Sequence, residues 1–276
     1  MDLPNASGRP LSGPAWLEAH HRAKLPERTA FAQRLARYAP SRVIDLGCAT
    51  GLWLDLLDKV VPHSCELVGV DADGESLELA AARSANWQHA SQLIHADFAA
   101  TPDAVPRGDL ILMFNVFSYV ADPGDVLASL SRRHPQARIV VRQYDGGTIR
   151  VGPLDEASRA AVESSLRASV VPSAAFSHYP MDRTYAAILS SPYAVESLEF
   201  ELTQRVSPFP PEFVEYLSGT LDWMRAHLSS AAGDALAASF GMDELHVPDD
   251  AYFVEVDLTA SLVAAAARPR RDQGSP

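Results

Sequence analysis

The chain reads as an α/β fold, a three-layer sandwich around a mostly parallel seven-stranded sheet with an antiparallel last strand and a helical insertion. Three observations predict it. Short β-branched runs alternate with helical stretches as far as residue 143, the rhythm of parallel strands joined by crossovers. The first such run passes through a glycine turn directly into a helix. Two strictly alternating segments then appear late, as expected of antiparallel strands at a sheet edge. With 276 residues and 47% apolar content, the chain can bury one such core and a modest insertion, whereas two independent domains would be cramped.

Trp16 to Tyr38 is helical, with apolar or aromatic residues at Trp16, Ala19, Phe31, Leu35 and Tyr38, and Pro26 breaks or restarts it. Arg42-Val43-Ile44-Asp45-Leu46 suits a buried parallel strand. Gly47 to Gly51 turns the chain, and Leu52 to Val61 continues as helix. Glu66 to Val70 is the second strand, Glu75 to Arg83 a helix, and Leu93 to Ala96 the third strand. Asp109 to Phe114, the helix Asp125 to Arg133 and the strand Arg138 to Gln143 complete the regular part. Beyond Tyr144 the rhythm changes. Helices are expected at Asp155 to Ala168, Thr184 to Ser190, Glu212 to Ser229 and Asp234 to Phe240. Glu199 to Val206 alternates with Phe200, Leu202 and Gln204 on one face, and Ala251 to Leu258 alternates around Tyr252, Val254 and Val256.

Bulk properties exclude several classes of function. The net charge of −12 repels phosphate backbones, so nucleic acid is not the expected partner; the basic run Arg268 to Arg271 reads as a solvated tail. Apolar residues never run for a membrane-spanning length, and Met1 to Gly13 has no hydrophobic signal core. Cys48 and Cys65 stand in neither a CxxC nor a metal-ligand spacing, so no metal and no disulfide framework is expected. These features fit a cytoplasmic protein, monomeric or homodimeric, with a small-molecule partner.

The strongest chemical signal is a strand, a glycine turn, a helix, and then Asp71 at the end of the second strand, twenty residues after Gly51. Glycines let the backbone turn sharply and approach a ligand, and a carboxylate there accepts the hydroxyls of a ribose. That pattern alone fits NAD as well as S-adenosylmethionine. Asp45 separates them, since an acid beside the turn repels a pyrophosphate and suits a cation; its other reading is a cap on the following backbone.

Asp45-Leu46-Gly47-Cys48-Ala49-Thr50-Gly51 resembles the first motif of the class I, Rossmann-like, S-adenosylmethionine-dependent methyltransferases. Val68 to Asp71, His95-Ala96-Asp97-Phe98 and Asp109 to Val120 with Asp122-Pro123 resemble the next three motifs, in order. The likeness covers Trp16 to Gln143. It departs at Ala49, where the family usually has its middle glycine. The resemblance implies a cofactor site made by Asp45, Gly47, Cys48, Ala49 and Gly51 under the methionine part, Asp71 and Ala72 at the ribose, Asp97 and Phe98 at the adenine, and Asn115 at the floor. Cys48 reads as a packing residue rather than a nucleophile. The implied organisation is a flexible terminus (1–13), lid helices (14–40), a methyltransferase domain (41–267) whose residues 207–250 form a helical insertion covering the substrate, and a disordered tail (268–276).

Methyl transfer is chiefly a positioning problem, and an acceptor with a bound proton also needs a base. His178 is the first candidate, His20 and His21 the next, and Tyr119 follows the fourth strand; each histidine is also readable as structural. Tyr144, Tyr179, Arg142 and Arg183 are candidate substrate contacts, and Arg142 alternatively pairs with a carboxylate. The expected reaction is methylation of a small organic molecule in bacterial secondary metabolism, at oxygen ahead of nitrogen or carbon. Its rivals are a non-methylating cyclisation or elimination on the same cofactor, and a non-catalytic partner subunit.

Overall fold

A computed structural model describes residues 12–144, 146–169, 181–241 and 245–265. The parallel part of the sheet comprises β1 (Arg42–Leu46), β2 (Glu66–Asp71), β3 (Ser91–His95), β4 (Leu110–Phe114) and β5 (Arg138–Tyr144), ordered β3-β2-β1-β4-β5. Strands β1 and β4 lie at its centre and are buried on both faces, which explains the unbroken apolar run of β4 and the buried Val43, Ile44 and Leu46 of β1. The crossovers carry α3 (Leu52–Leu57), α4 (Gly74–Ser84) and α5 (Pro123–Arg133). Asp73 and Asp122 cap α4 and α5 by accepting from Glu75 and from Gly124 and Asp125, each acid following a strand and its loop.

Among the described residues the sheet has eight strands rather than seven. The extra one, β6 (Arg150–Gly152), pairs antiparallel with the first residues of β8 (Tyr252–Val263), and its three residues are too few to leave a pattern in sequence. The second half of β8 pairs antiparallel with β5, and β7 (Ala194–Val206) covers its other edge along the whole length. Strand β7 begins five residues earlier than its alternation suggests. Its face carrying Phe200 and Leu202 stays open, each 56% exposed.

Two cores flank the sheet. One is built on Ile44, Val68, Ile111 and Val141 with α5 and α7 (Met181–Ser190). The other joins Val43, Leu67, Leu112 and Val140 to α3 and to Phe31 and Leu35 of α2 (Leu25–Ala36). A third core lies beyond the end of β5, where α6 (Glu156–Ser169), α8 (Pro211–His227) and α9 (Ser230–Phe240) pack on β6 and the start of β8. Helix α1 (Pro14–Ala23) leans on α8 at the margin of that core. The described residues of 207–250 include α8 and α9, back α1 and supply none of the wall of the cavity described below. The hinge between α1 and α2 is Lys24, and Pro26 occupies the first turn of α2, where its missing N–H is not needed.

Candidate active site

The ends of β1 to β5 and the inner face of α1 enclose a cavity of about 230 Å³. Its floor begins with the turn after β1. Gly47 donates its N–H to the carbonyl of Val70 at 2.8 Å and adopts a φ of 77°. A Cβ there would lie 2.3 Å from Cγ1 of Val116, so the glycine is required by both its backbone and its neighbour. Cys48 and Ala49 continue the wall. Burial holds the Cys48 thiol well above its ordinary value, with Asp45 and Asp71 adding to the effect, so it stays protonated. Ala49 has a φ of 46° and donates its N–H to Oδ2 of Asp71 at 2.7 Å. Gly51, with φ 77°, begins α3 and faces Ala80 and Trp87 instead of the cavity.

Asp71 and Ala72 form the next side. Asp71 accepts from Ala49 through one oxygen and from Asp73 N–H at 2.8 Å through the other. A carboxylate oxygen accepts more than one bond, so each retains capacity toward the cavity. Asp97 and Phe98 follow at the end of β3, with Asp97 fixed by the N–H of Ala99 at 2.9 Å. Across the floor, Asn115 has a φ of 58°, which asparagine tolerates better than most residues. Its N–H donates to the carbonyl of Arg142 and its Oδ1 accepts from the N–H of Tyr144, both at 2.8 Å, tying the end of β4 to that of β5. Tyr119, Tyr144, Trp16 and His20 complete the opposite end.

Several expected residues lie elsewhere. Asp45 is buried beneath the turn and is absent from the wall; its Oδ2 has no hydrogen-bond partner, so it does not cap the backbone through that atom. Burial, reinforced by Asp71, raises its carboxyl to about 7. The guanidinium of Arg142 faces away from the cavity and pairs with Asp257 at 2.7 Å and with Glu201. Its position is thus the carboxylate pairing left open above rather than a substrate anchor. Arg183 reaches from α7 to the carbonyls of Val120 and Ala121, steadying the loop after β4 without lining the cavity. His21 lies off the wall, with Nδ1 3.0 Å from Nη1 of Arg28. His178 and Tyr179 fall outside the described residues.

The sequence reading missed Arg28. This residue is 7% exposed, lines the cavity, and bonds through Nη2 to Nδ1 of His20 at 3.3 Å. A signal existed, since Arg28, Phe31, Ala32 and Leu35 make one buried helical stripe with a charge inside it. Trp16 was read only as helix. Its ring centroid lies 6.2 Å from His20, which itself stacks on Tyr216 at 5.1 Å.

The wall suits S-adenosylmethionine. Asp71 offers oxygens to a ribose, the acids Asp71, Asp73 and Asp97 favour a cationic ligand over a pyrophosphate, and among the described residues Arg28 offers the one guanidinium on the wall. Among the described residues no group of three His, Cys, Asp or Glu stands close enough to hold a metal ion. No described helix is long and apolar enough to cross a membrane.

Comparison with known proteins agrees with this geometry. A family model described as a methyltransferase domain matches residues 18–184, more than half of the chain. Malonyl-acyl-carrier-protein O-methyltransferase of Legionella pneumophila is 30% identical over 96 residues, 35% of this chain and 33% of that protein. Trans-aconitate 2-methyltransferase of Pseudomonas paraeruginosa is 45% identical over 56 residues, 20% of each chain. The chain therefore matches a third or less of these relatives' lengths. Among solved structures, a candidate methyltransferase of Bacillus halodurans superposes with a TM-score of 0.55 at 11% identity, covering 86% of this chain and 99% of that one. The cyclase SpnF superposes with a TM-score of 0.50 at 13% identity, covering 88% and 82%. Both share the fold.

Proposed function

The chain belongs to the S-adenosylmethionine-dependent methyltransferases of the Rossmann-like class, and we propose that it methylates a small organic molecule, at oxygen, in bacterial secondary metabolism. The observation that carries the reading is the polarity of one cavity. Asp71 and Asp97 lie at one end, and Trp16, Tyr119, Tyr144 and His20 form an aromatic chamber at the other, with Asn115 between them. The acidic end binds the adenosine. The aromatic end receives the acceptor and excludes water, which is where an enzyme of this kind gains most of its rate.

When bound, S-adenosylmethionine supplies the activated methyl group. The protein's own part is orientation. Asn115 holds the ends of β4 and β5 at a fixed spacing, and α1 closes the chamber from above. A small acceptor fits this enclosed space, whereas the acidic surface gives no path for a nucleic acid. Oxygen is favoured by the name of the Legionella relative, an O-methyltransferase, and a small organic acid by that of the Pseudomonas one.

Calorimetric titration with S-adenosylmethionine and S-adenosylhomocysteine tests the reading, repeated with Asp71→Ala. Micromolar binding, about −8 kcal/mol, is expected for the wild type and should be lost in the variant. Acceptor candidates are then screened by mass. A product heavier by one methylene unit supports methylation, and an isomerised product of unchanged mass would replace it with a cyclisation. A folded protein that binds neither ligand would leave the partner-subunit reading in its place.

A further inference from the structure

We propose that two copies of this chain join edge to edge through β7, with the two-fold axis at Leu202, so that one sheet runs across the dimer. The inference goes beyond the methyltransferase reading and does not depend on it. Strand β7 closes the sheet on its side, paired with β8 and, among the described residues, with no other strand. Its 13 residues contain no proline and no lysine, the residues that usually blunt an exposed edge. Its one irregularity, a bulge between Val195 and Ser197, leaves 198–206 regular.

The backbone of that stretch is set for a partner. The N–H of Ser207 donates to the carbonyl of Ala251 at 2.8 Å, next to the Val206–Tyr252 pair, so the odd-numbered residues of β7 are those that bond to β8. The N–H and C=O groups of Leu198, Phe200, Leu202, Gln204 and Val206 therefore point outward. In keeping with this, the carbonyl of Gln204 accepts from Nη1 of its neighbour Arg205 at 2.9 Å. The side chains alternate as well. Glu199, Glu201 and Arg205 lie on the face toward α2, where they pair with Arg34 and Glu27. The opposite face is apolar and open. Phe200 and Leu202 are each 56% exposed and Val206 72%, and the ring of Phe200 continues onto Tyr185 of α7 with centroids 6.5 Å apart. Single exposed apolar side chains are ordinary, but a contiguous row beside unpaired backbone marks an interface.

The charges along the strand select a second copy and its register. Two identical antiparallel strands centred on Phe200 or Glu201 would set glutamate opposite glutamate. Centred on Leu202, the middle of the regular stretch, they set Glu199 of each copy opposite Arg205 of the other. The same register places Leu202 opposite itself, Phe200 opposite Gln204 and Leu198 opposite Val206. Every outward-facing backbone group from 198 to 206 then has a partner, and the two apolar rows merge into one.

Sedimentation velocity of the full chain tests this, and a dimer is expected. Leu202→Lys should weaken association about a hundredfold or more, because like charges would meet at the axis. Leu202→Glu should do the same, and mixing the two variants should restore a dimer, since opposite charges then face each other. Cross-linking reads the register. Residues opposite each other in a hydrogen-bonded antiparallel pair have Cα atoms about 5.5 Å apart, within reach of a disulfide. Leu202→Cys should therefore give an oxidised dimer and Phe200→Cys should not; Cys48 and Cys65 are buried and stay out of the reaction. Cross-linking of Phe200→Cys instead would overturn the axis at Leu202. A monomeric wild type overturns the proposal, as does a dimer that survives both charged variants. A monomer whose Leu202 amide is protected from hydrogen exchange would overturn it too, assigning the edge to another segment of this chain.

Discussion

Gly47 and Ala49 both occupy the left-handed region, with φ of 77° and 46°, yet the structure treats them differently. At Gly47 an added Cβ meets Val116 at 2.3 Å, so the site excludes a side chain twice over. At Ala49 the Cβ is already present, and its N–H is engaged by Asp71. A non-glycine residue in this region costs about 1–2 kcal/mol, and the bond to Asp71 offsets part of that cost. Gly47→Ala should therefore destabilise the protein by about 2–4 kcal/mol, combining backbone strain with overpacking. Ala49→Gly removes strain but frees the unfolded chain, so a change within about 1 kcal/mol is expected. Urea melts of the two variants check this. A large loss on Ala49→Gly would mean that the alanine methyl, rather than the backbone, holds the turn.

The lid helices depend on contacts that lie far away in sequence. Lys24, at the hinge between α1 and α2, is 2% exposed and meets Glu255 of β8, with Asp257 at 4.0 Å. Tyr216 of α8 donates to the other oxygen of Glu255 at 2.6 Å, and Arg142 of β5 holds Asp257 at 2.7 Å. Four elements thus converge on one buried cluster behind His20. Breaking such a cluster by removing one partner typically costs about 3–5 kcal/mol, because a buried charge is left uncompensated. Lys24→Met should show that loss by denaturation and should expose α1 to limited proteolysis. Lys24→Met combined with Glu255→Gln should recover much of it, since the orphaned charge is gone. If the double variant is as unstable as the single one, the cluster is held by Asp257 instead. These contacts were not legible in the sequence. Strands β1, β2 and β4 were, because a β-branched run and its turn are local signals. Helix α3 stops at Leu57, short of the expected Val61, because Asp58 turns its carboxylate to the N–H groups of Gln88 and His89. The same holds at the site. Asp71, Asp97 and Asn115 could be found from strand ends, whereas Arg28 and the role of Arg142 depend on partners brought together only by the fold.

For the whole molecule, buried titratable groups give opposing contributions to stability as pH changes. His21 has a folded value of about 4, below its ordinary 6.5. Between those values the unfolded chain binds a proton that the folded chain refuses, so His21 makes stability rise with pH across that window. Asp45 runs the other way. Its folded value of about 7 exceeds the ordinary 3.8, so the folded chain keeps a proton that the unfolded chain has lost, and stability falls as pH rises through that range. After allowance for solvent screening, the lowered His21 contributes about 2 kcal/mol. Wild-type stability alone cannot separate two terms of opposite sign. Difference curves can. The stability of wild type minus that of His21→Asn should climb from pH 4 to about 6.5 and then level off. The stability of Asp45→Asn minus that of wild type should climb from about pH 4 to 7, because an amide cannot be forced to hold a charge in the core. A flat difference for Asp45→Asn would show that the carboxyl under the turn is solvated or paired.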